Sequence, residues 1–159
     1  MKLSDKMAVT YAVCVLALAL AGALSVASAQ NLIVNPDFET GDLAGWDDNG
    51  PSMPGTHNAY MVNEAHALGL LLKQSTAAGS AGAGEVFYAF DLKLDQADVG
   101  GVLFVEIFAE AAGGGVIGGS GLMGPFWDWD WTPHSGSFIA PAGTDFLTIQ
   151  FVATTGAAD

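Results

Sequence analysis

The chain has 159 residues, with 17 aspartates and glutamates against four lysines, no arginine, and a formal net charge of −13. Nucleic-acid binding draws most of its affinity from lysine and arginine neutralising phosphates, so this balance excludes that class and disfavours anionic membranes for the same reason. Divalent cations, high salt, or neutral ligands such as sugars suit such a surface.

The first element along the chain is an export signal. Lys2 and Lys6 flank Asp5, an apolar run extends from Met7 to Leu24, and small residues lead to Ala27-Ser28-Ala29. That layout predicts a helical signal peptide over residues 1–29 with cleavage before Gln30. The apolar run approaches the ~18 to 20 residues of a membrane span. Against an uncleaved anchor stand the small-residue site and the lack of a basic cluster after it, so no stable membrane insertion is expected once the signal is removed. Cys14, the one cysteine, lies inside the run and leaves with it. The exported part then has no disulfide, no thiolate and no cysteine zinc site.

Residues 30–159 suffice for one domain with a real core and are too few for two. Alternation with period two predicts strands. Glu85 to Leu94 places Val86, Tyr88, Phe90, Leu92 and Leu94 on one face. Gly101 to Glu110 sets Leu103, Val105, Ile107 and Ala109 against Phe104, Glu106, Phe108 and Glu110. Asp145 to Ala153 alternates Leu147, Ile149, Phe151 and Ala153 with Phe146, Thr148, Gln150 and Val152. Shorter candidates are Asn31 to Asn35, His57 to Asn63, Leu68 to Gln74, Phe126 to Trp131 and Gly136 to Ala140, with a helix over Asn63 to Lys73 as the competing reading there. Breakers separate them at Gly50-Pro51 to Pro54-Gly55, Thr76 to Gly84, Ala112 to Gly121, Gly124-Pro125 and Pro141-Ala142-Gly143. Many short strands at this spacing predict an all-β fold, an antiparallel β-sandwich.

The most specific segment is Asn31-Leu32-Ile33-Val34-Asn35-Pro36-Asp37-Phe38-Glu39-Thr40-Gly41-Asp42-Leu43-Ala44-Gly45-Trp46. It resembles the opening of jelly-roll carbohydrate-binding modules of the family 4 and 9 type, within the galactose-binding-like superfamily. Gly100 to Glu106, the glycine run, Trp131-Thr132, Ser135 to Phe138 and Ala140 to Gly143 extend the resemblance more loosely over residues 30–159. It implies a jelly roll, a glycan ligand, and a structural calcium ion near the first strand, with Glu39 as a ligand. Asp37, Glu39, Thr40 and Asp42 supply the hard oxygens calcium takes; the plainer reading is that Asp37 and Glu39 cap a turn. Such modules close with a further strand bearing an Asp-Asn-Val or Asp-Asp-Val motif. The ending Gly156-Ala157-Ala158-Asp159 lacks it, which reads as a missing last strand, or as an open sheet edge able to accept a strand from a protein partner.

The run Phe126-Trp127-Asp128-Trp129-Asp130-Trp131 holds three of the four tryptophans. Sugar binding needs flat aromatic faces for the apolar side of a pyranose and carboxylates for its hydroxyls. Trp127, Asp128, Trp129 and Asp130 are therefore the candidate ligand-binding residues, while Trp46 and Trp131 read as core. The face Phe104, Glu106, Phe108, Glu110 reads as the wetter side of the sandwich. Glu106 and Glu110, ~13 Å apart along an extended strand, are too distant for a paired-carboxylate glycosidase.

His57, His66 and His134 are isolated, and no nucleophile elbow or phosphate loop is present. The glycine run lacks a following basic residue and reads as a flexible hairpin loop. The sequence therefore predicts a secreted, non-catalytic module, not an enzyme, that binds an extracellular polysaccharide or glycan with calcium as a structural ion. The rival is a surface-layer, matrix or adhesion protein that uses the same sandwich as a structural unit.

Overall fold

The computed structural model describes residues 30–48, 52–54, 59–61, 69–94 and 101–155. The expected signal peptide, His57, His66 and the residues after Thr155 lie outside them. Among the described residues every regular element is a strand: β1 (Asp47–Asp48), β2 (Ser52–Pro54), β3 (Ala59–Met61), β4 (Leu70–Ser75), β5 (Gly84–Leu92), β6 (Gly101–Ala111), β7 (Val116–Gly119), β8 (Met123–Phe126), β9 (Thr132–Ala140) and β10 (Thr144–Thr155). All pairings are antiparallel. The expected all-β antiparallel sandwich is the fold observed.

The larger sheet runs β1-β4-β10-β6-β7, with β8 also on β6; β5 pairs with β9 and β2 with β3. Period-two alternation decides which face each residue occupies. Val105, Ile107 and Ala109 on β6, Leu147 on β10, and Leu70 and Leu72 on β4 are buried. Opposite them, β5 and β9 supply Val86, Tyr88, Phe138 and Ala140, which pack on Ile107, Ala109 and Leu147. The two sheets thus bury their apolar faces against each other, the chief favourable term in a chain with no disulfide to restrain it. The opposite face of β6, Phe104 to Glu110, is half-buried, and Thr148 on β10 donates its hydroxyl hydrogen to Glu110 Oε1.

The far edge of β6 is covered by two short strands in succession. β7 pairs along Phe108 to Glu110, and β8 along Leu103 to Val105. Ser120 fills the gap between them: its N–H donates to the Ile107 carbonyl at 2.8 Å, and its hydroxyl accepts from the Ile107 N–H at 3.0 Å. A side chain at Gly119 would place Cβ 2.2 Å from the Ile107 carbonyl oxygen, a backbone atom that cannot swing away. Glycine is required there by close approach, and the strand stays flush against β6. The Ala112 to Gly121 run is therefore a turn followed by strand β7 and a short link to β8, not one flexible loop.

Two expected strands are absent. Asn31 to Asn35 makes no ladder; Val34 instead receives both hydrogen bonds from the side chain of Gln74, the N–H donating to Oε1 at 2.6 Å and the carbonyl accepting from Nε2 at 2.9 Å. Gln74, 2% exposed on the inner face of β4, presents an amide that mimics a peptide unit of a neighbouring strand. Phe126 to Trp131 also fails as a strand: β8 ends at Phe126, and the next residues are loop until Thr132. Leu70–Ser75 settles the strand-or-helix alternative for its own residues in favour of strand.

Candidate functional site

The loop over residues 127–131 joins β8 to β9 and carries the alternating tryptophans and aspartates. Had the run been a strand, Trp127, Trp129 and Trp131 would have shared one face and the aspartates the other. As a loop it exposes all three indoles: Trp127 is 61% exposed, Trp129 64% and Trp131 54%. This corrects the expectation that Trp131 belongs to the core. None of the three stacks on another ring or spends its indole N–H on a hydrogen bond among the described residues. Leaving an indole in water forgoes several kcal/mol of burial, on the order of 2–3 for a large side chain.

The two aspartates part company. Asp128 turns toward the sandwich, where its Oδ2 lies 3.0 Å from His134 Nε2, and its carbonyl accepts from the Leu94 N–H at 2.7 Å. His134 is held in turn between rings, 4.4 Å centroid to centroid from Phe126 and 5.6 Å from Phe90. Asp128 therefore roots the loop and does not share its open face. The Asp130 carboxylate has no hydrogen-bond partner among the described residues, while its carbonyl accepts from the Thr132 hydroxyl at 3.0 Å. The expected ligand set Trp127, Asp128, Trp129, Asp130 is thus brought together by proximity along one loop, with Asp128 assigned to the anchor. His134 was not among the candidates: it lies six residues from Asp128 across a proline, a spacing that carries no pattern.

Five other rings form a file that ends at Phe126, the residue before the loop. Phe38 lies 5.3 Å from Trp46, Trp46 6.1 Å from Phe151, Phe151 5.7 Å from Phe90, and Phe90 6.1 Å from Phe126. Trp46 is half-buried, and its N–H donates to the Asn35 carbonyl at 3.2 Å. The file gives the loop a firm base, because aromatic contacts of this kind add about 0.5–1.5 kcal/mol each beyond burial. At Gly136 the ring of Tyr88 lies so close that an added Cβ would stand 2.5 Å from its hydroxyl oxygen.

The other candidate site is the turn around Asp37 and Glu39. Both are exposed, and Asp37 Oδ1 accepts from the Glu39 N–H at 3.3 Å, a cap of the local turn. Asn35 and Phe38 take positive φ, at 48° and 55°, which winds the segment tightly. Asp42 closes it, accepting from the Thr40 hydroxyl at 2.6 Å and the Ala44 N–H at 3.0 Å. Those two donors, Thr40 foremost, hold the Asp42 carboxyl below the usual carboxylate range. Asp37 and Glu39 place carboxylate oxygens of the kind calcium takes on one turn; among the described residues no group of three His, Asp or Glu side chains is gathered that could hold a metal ion. Nor, among the described residues, is any helix long and apolar enough to cross a membrane.

No family model matches the sequence, and no curated protein matches it either. Among solved structures the fold is similar to the enzymatically active domain of tailspike protein 4 of bacteriophage CBA120, at a TM-score of 0.57 and 12% identity. The match covers 80% of this chain and 20% of that one, so the chain spans about a fifth of its length, and the likeness is one of fold. It corrects one expectation. The chain was read from its sequence as not an enzyme, but a domain described as enzymatically active carries a similar fold, so a non-catalytic role does not follow from this architecture.

Proposed function

We propose that residues 30–159 form an extracellular glycan-engaging domain whose ligand platform is the tryptophan loop over residues 127–131. One observation carries the reading: Trp127, Trp129 and Trp131 are exposed together beside the unspent carboxylate of Asp130. Flat apolar rings flanked by a hydrogen-bond acceptor are what a pyranose presents its faces and hydroxyls to. The resemblance of the Asn31 to Trp46 opening to carbohydrate-binding modules supports the same reading.

A glycan array and affinity electrophoresis on the exported chain test it, with reducing-sugar release measured on the same polysaccharides so that turnover is read alongside binding. Retention that drops when Trp127 and Trp129 are replaced by alanine supports the proposal. No retention on any polysaccharide, with those variants indistinguishable from the parent, sinks it.

A structural calcium ion at Glu39 and Asp37 belongs to the same proposal. An ion bound only by the folded state stabilises it by mass action, so a chelator should lower Tm by a few degrees, corresponding to about 1 kcal/mol. An unchanged melt removes the ion from the reading. A second reading, an adhesion or matrix protein, draws on the outer face of the β5–β9 sheet, where Phe87 and Ile139 are 73% and 70% exposed. Concentration-dependent self-association by sedimentation, abolished in Phe87→Ser, would favour it.

A further inference from the structure

The tryptophan loop carries two aspartates and no lysine or arginine, and we propose that its ligand is a glycan bearing protonated amines, a polymer of amino sugars with free amino groups. The inference rests on the glycan reading above and narrows its substrate class. An indole face carries the negative side of the ring quadrupole and attracts a cation placed over it, tryptophan more strongly than any other side chain. Three such faces lie within five residues, all exposed and none covered by another ring among the described residues.

Charge complementarity selects the occupant. Asp130 offers a carboxylate with no hydrogen-bond partner among the described residues, while Asp128 is engaged with His134 and anchors the loop. Past residue 29 the only fixed cations in the chain are Lys73 and Lys93. Lys73 lies on β4, in register with Asp47 and Gln150, and Lys93, next to the Leu94 whose N–H bonds the Asp128 carbonyl, has an interaction of its own within the chain. A polyuronate approaching this loop meets like charge, and a neutral glycan gains ring stacking and hydroxyl hydrogen bonds to Asp130 without an ion pair. A protonated amino sugar gains stacking, the pull of the indole faces and an ion pair to Asp130. The preference should weaken with salt, because exposed charges are screened beyond about 10 Å at 0.1 M.

The test compares three polymers on the purified exported chain in mildly acidic buffer: a free-amine glucosamine polymer, the same polymer after N-acetylation, and a polyuronate. The free-amine form should be retained about tenfold more tightly than its acetylated form, and the polyuronate least. Raising salt should erase most of the difference. Asp130→Asn should lower the preference for the amine while leaving retention of the acetylated polymer in place, and Trp129→Ala should weaken both. Equal retention of the free and acetylated forms overturns the inference and leaves the glycan reading standing. Full retention of the amine polymer by a Trp127→Ala/Trp129→Ala variant also overturns it, since the overall negative charge would then account for adsorption. No retention of any polymer, unaffected by the tryptophan substitutions, marks failure of the glycan reading itself.

Discussion

At Trp46 the indole is fully employed: its N–H is donated to the Asn35 carbonyl, and its ring lies between Phe38 and Phe151. At Trp127, Trp129 and Trp131 the same side chain is given no ring, no hydrogen bond and little cover among the described residues. The segments behind them differ in the same way. Residues 35–46 wind into a turn closed by Asp42, Asn35 and Thr40, whereas among the described residues the 127–131 loop is tied down only at Asp128 and Asp130. Indole chemistry alone does not assign a role. What surrounds the ring is the better guide, and by that measure Trp46 holds the fold while the loop tryptophans are left open for the proposed ligand.

The comparison breaks most visibly on substitution by alanine. Trp46→Ala removes a packed ring and leaves a carbonyl without its donor, and should cost about 3 kcal/mol by thermal or denaturant melting. Trp127→Ala and Trp129→Ala should each stay within about 0.5 kcal/mol of the parent. A loop variant that melts as early as Trp46→Ala would mean the loop is core after all.

Gln74→Leu comes next in size. It keeps the volume on β4 but leaves the Val34 N–H and carbonyl unpaired, which should cost about 2 kcal/mol in a denaturant titration. His134→Phe should be milder, at about 1 kcal/mol or less, since the ring contacts with Phe90 and Phe126 persist and only a partly exposed contact to Asp128 is lost. Its signature should be in the loop, as a change in tryptophan near-UV circular dichroism that His134→Gln restores in part. An unaltered spectrum would separate the loop from its anchor.

The smallest effect sharpens the other side. Asp42 has a folded-state pKa below its unfolded value, so its contribution to stability is present above the unfolded pKa and fades as pH falls through the folded one. A carbon-detected titration should find the Asp42 midpoint below those of ordinary aspartates. Thr40→Val should move it upward, because the Thr40 hydroxyl is the larger of its two donors. An unmoved midpoint would show that the Ala44 N–H alone suffices.

The sandwich was readable because β5, β6 and β10 each carry one unbroken apolar face at period two, while the opposite face is mixed, so Val105, Ile107, Ala109 and Leu147 fall to the interior. The exposed tryptophans were half readable. Their composition marked Trp127 and Trp129, but the same alternation suggested a strand where the chain runs as loop, and apolarity placed Trp131 in the core. Pairings that join residues far apart left no trace in local pattern. Gln74 holds Val34 across 40 positions, and His134 meets Asp128 only because β9 turns back beneath the loop. The expectation of a non-catalytic role rested on missing motif spacings, and a similar fold in a domain described as enzymatically active shows that this architecture does not support that exclusion.

Gln74 has a consequence for how the domain comes together. A strand joins a sheet by many hydrogen bonds made in sequence, but the backbone of Val34 is bonded to the side chain of Gln74, on a strand paired with β10. The Val34 backbone should therefore be late to settle and early to release. Amide exchange offers a direct clock for this. The Val34 N–H, held by a single glutamine oxygen, should exchange by local opening well before the β6–β10 ladder, whose amides should wait for global unfolding.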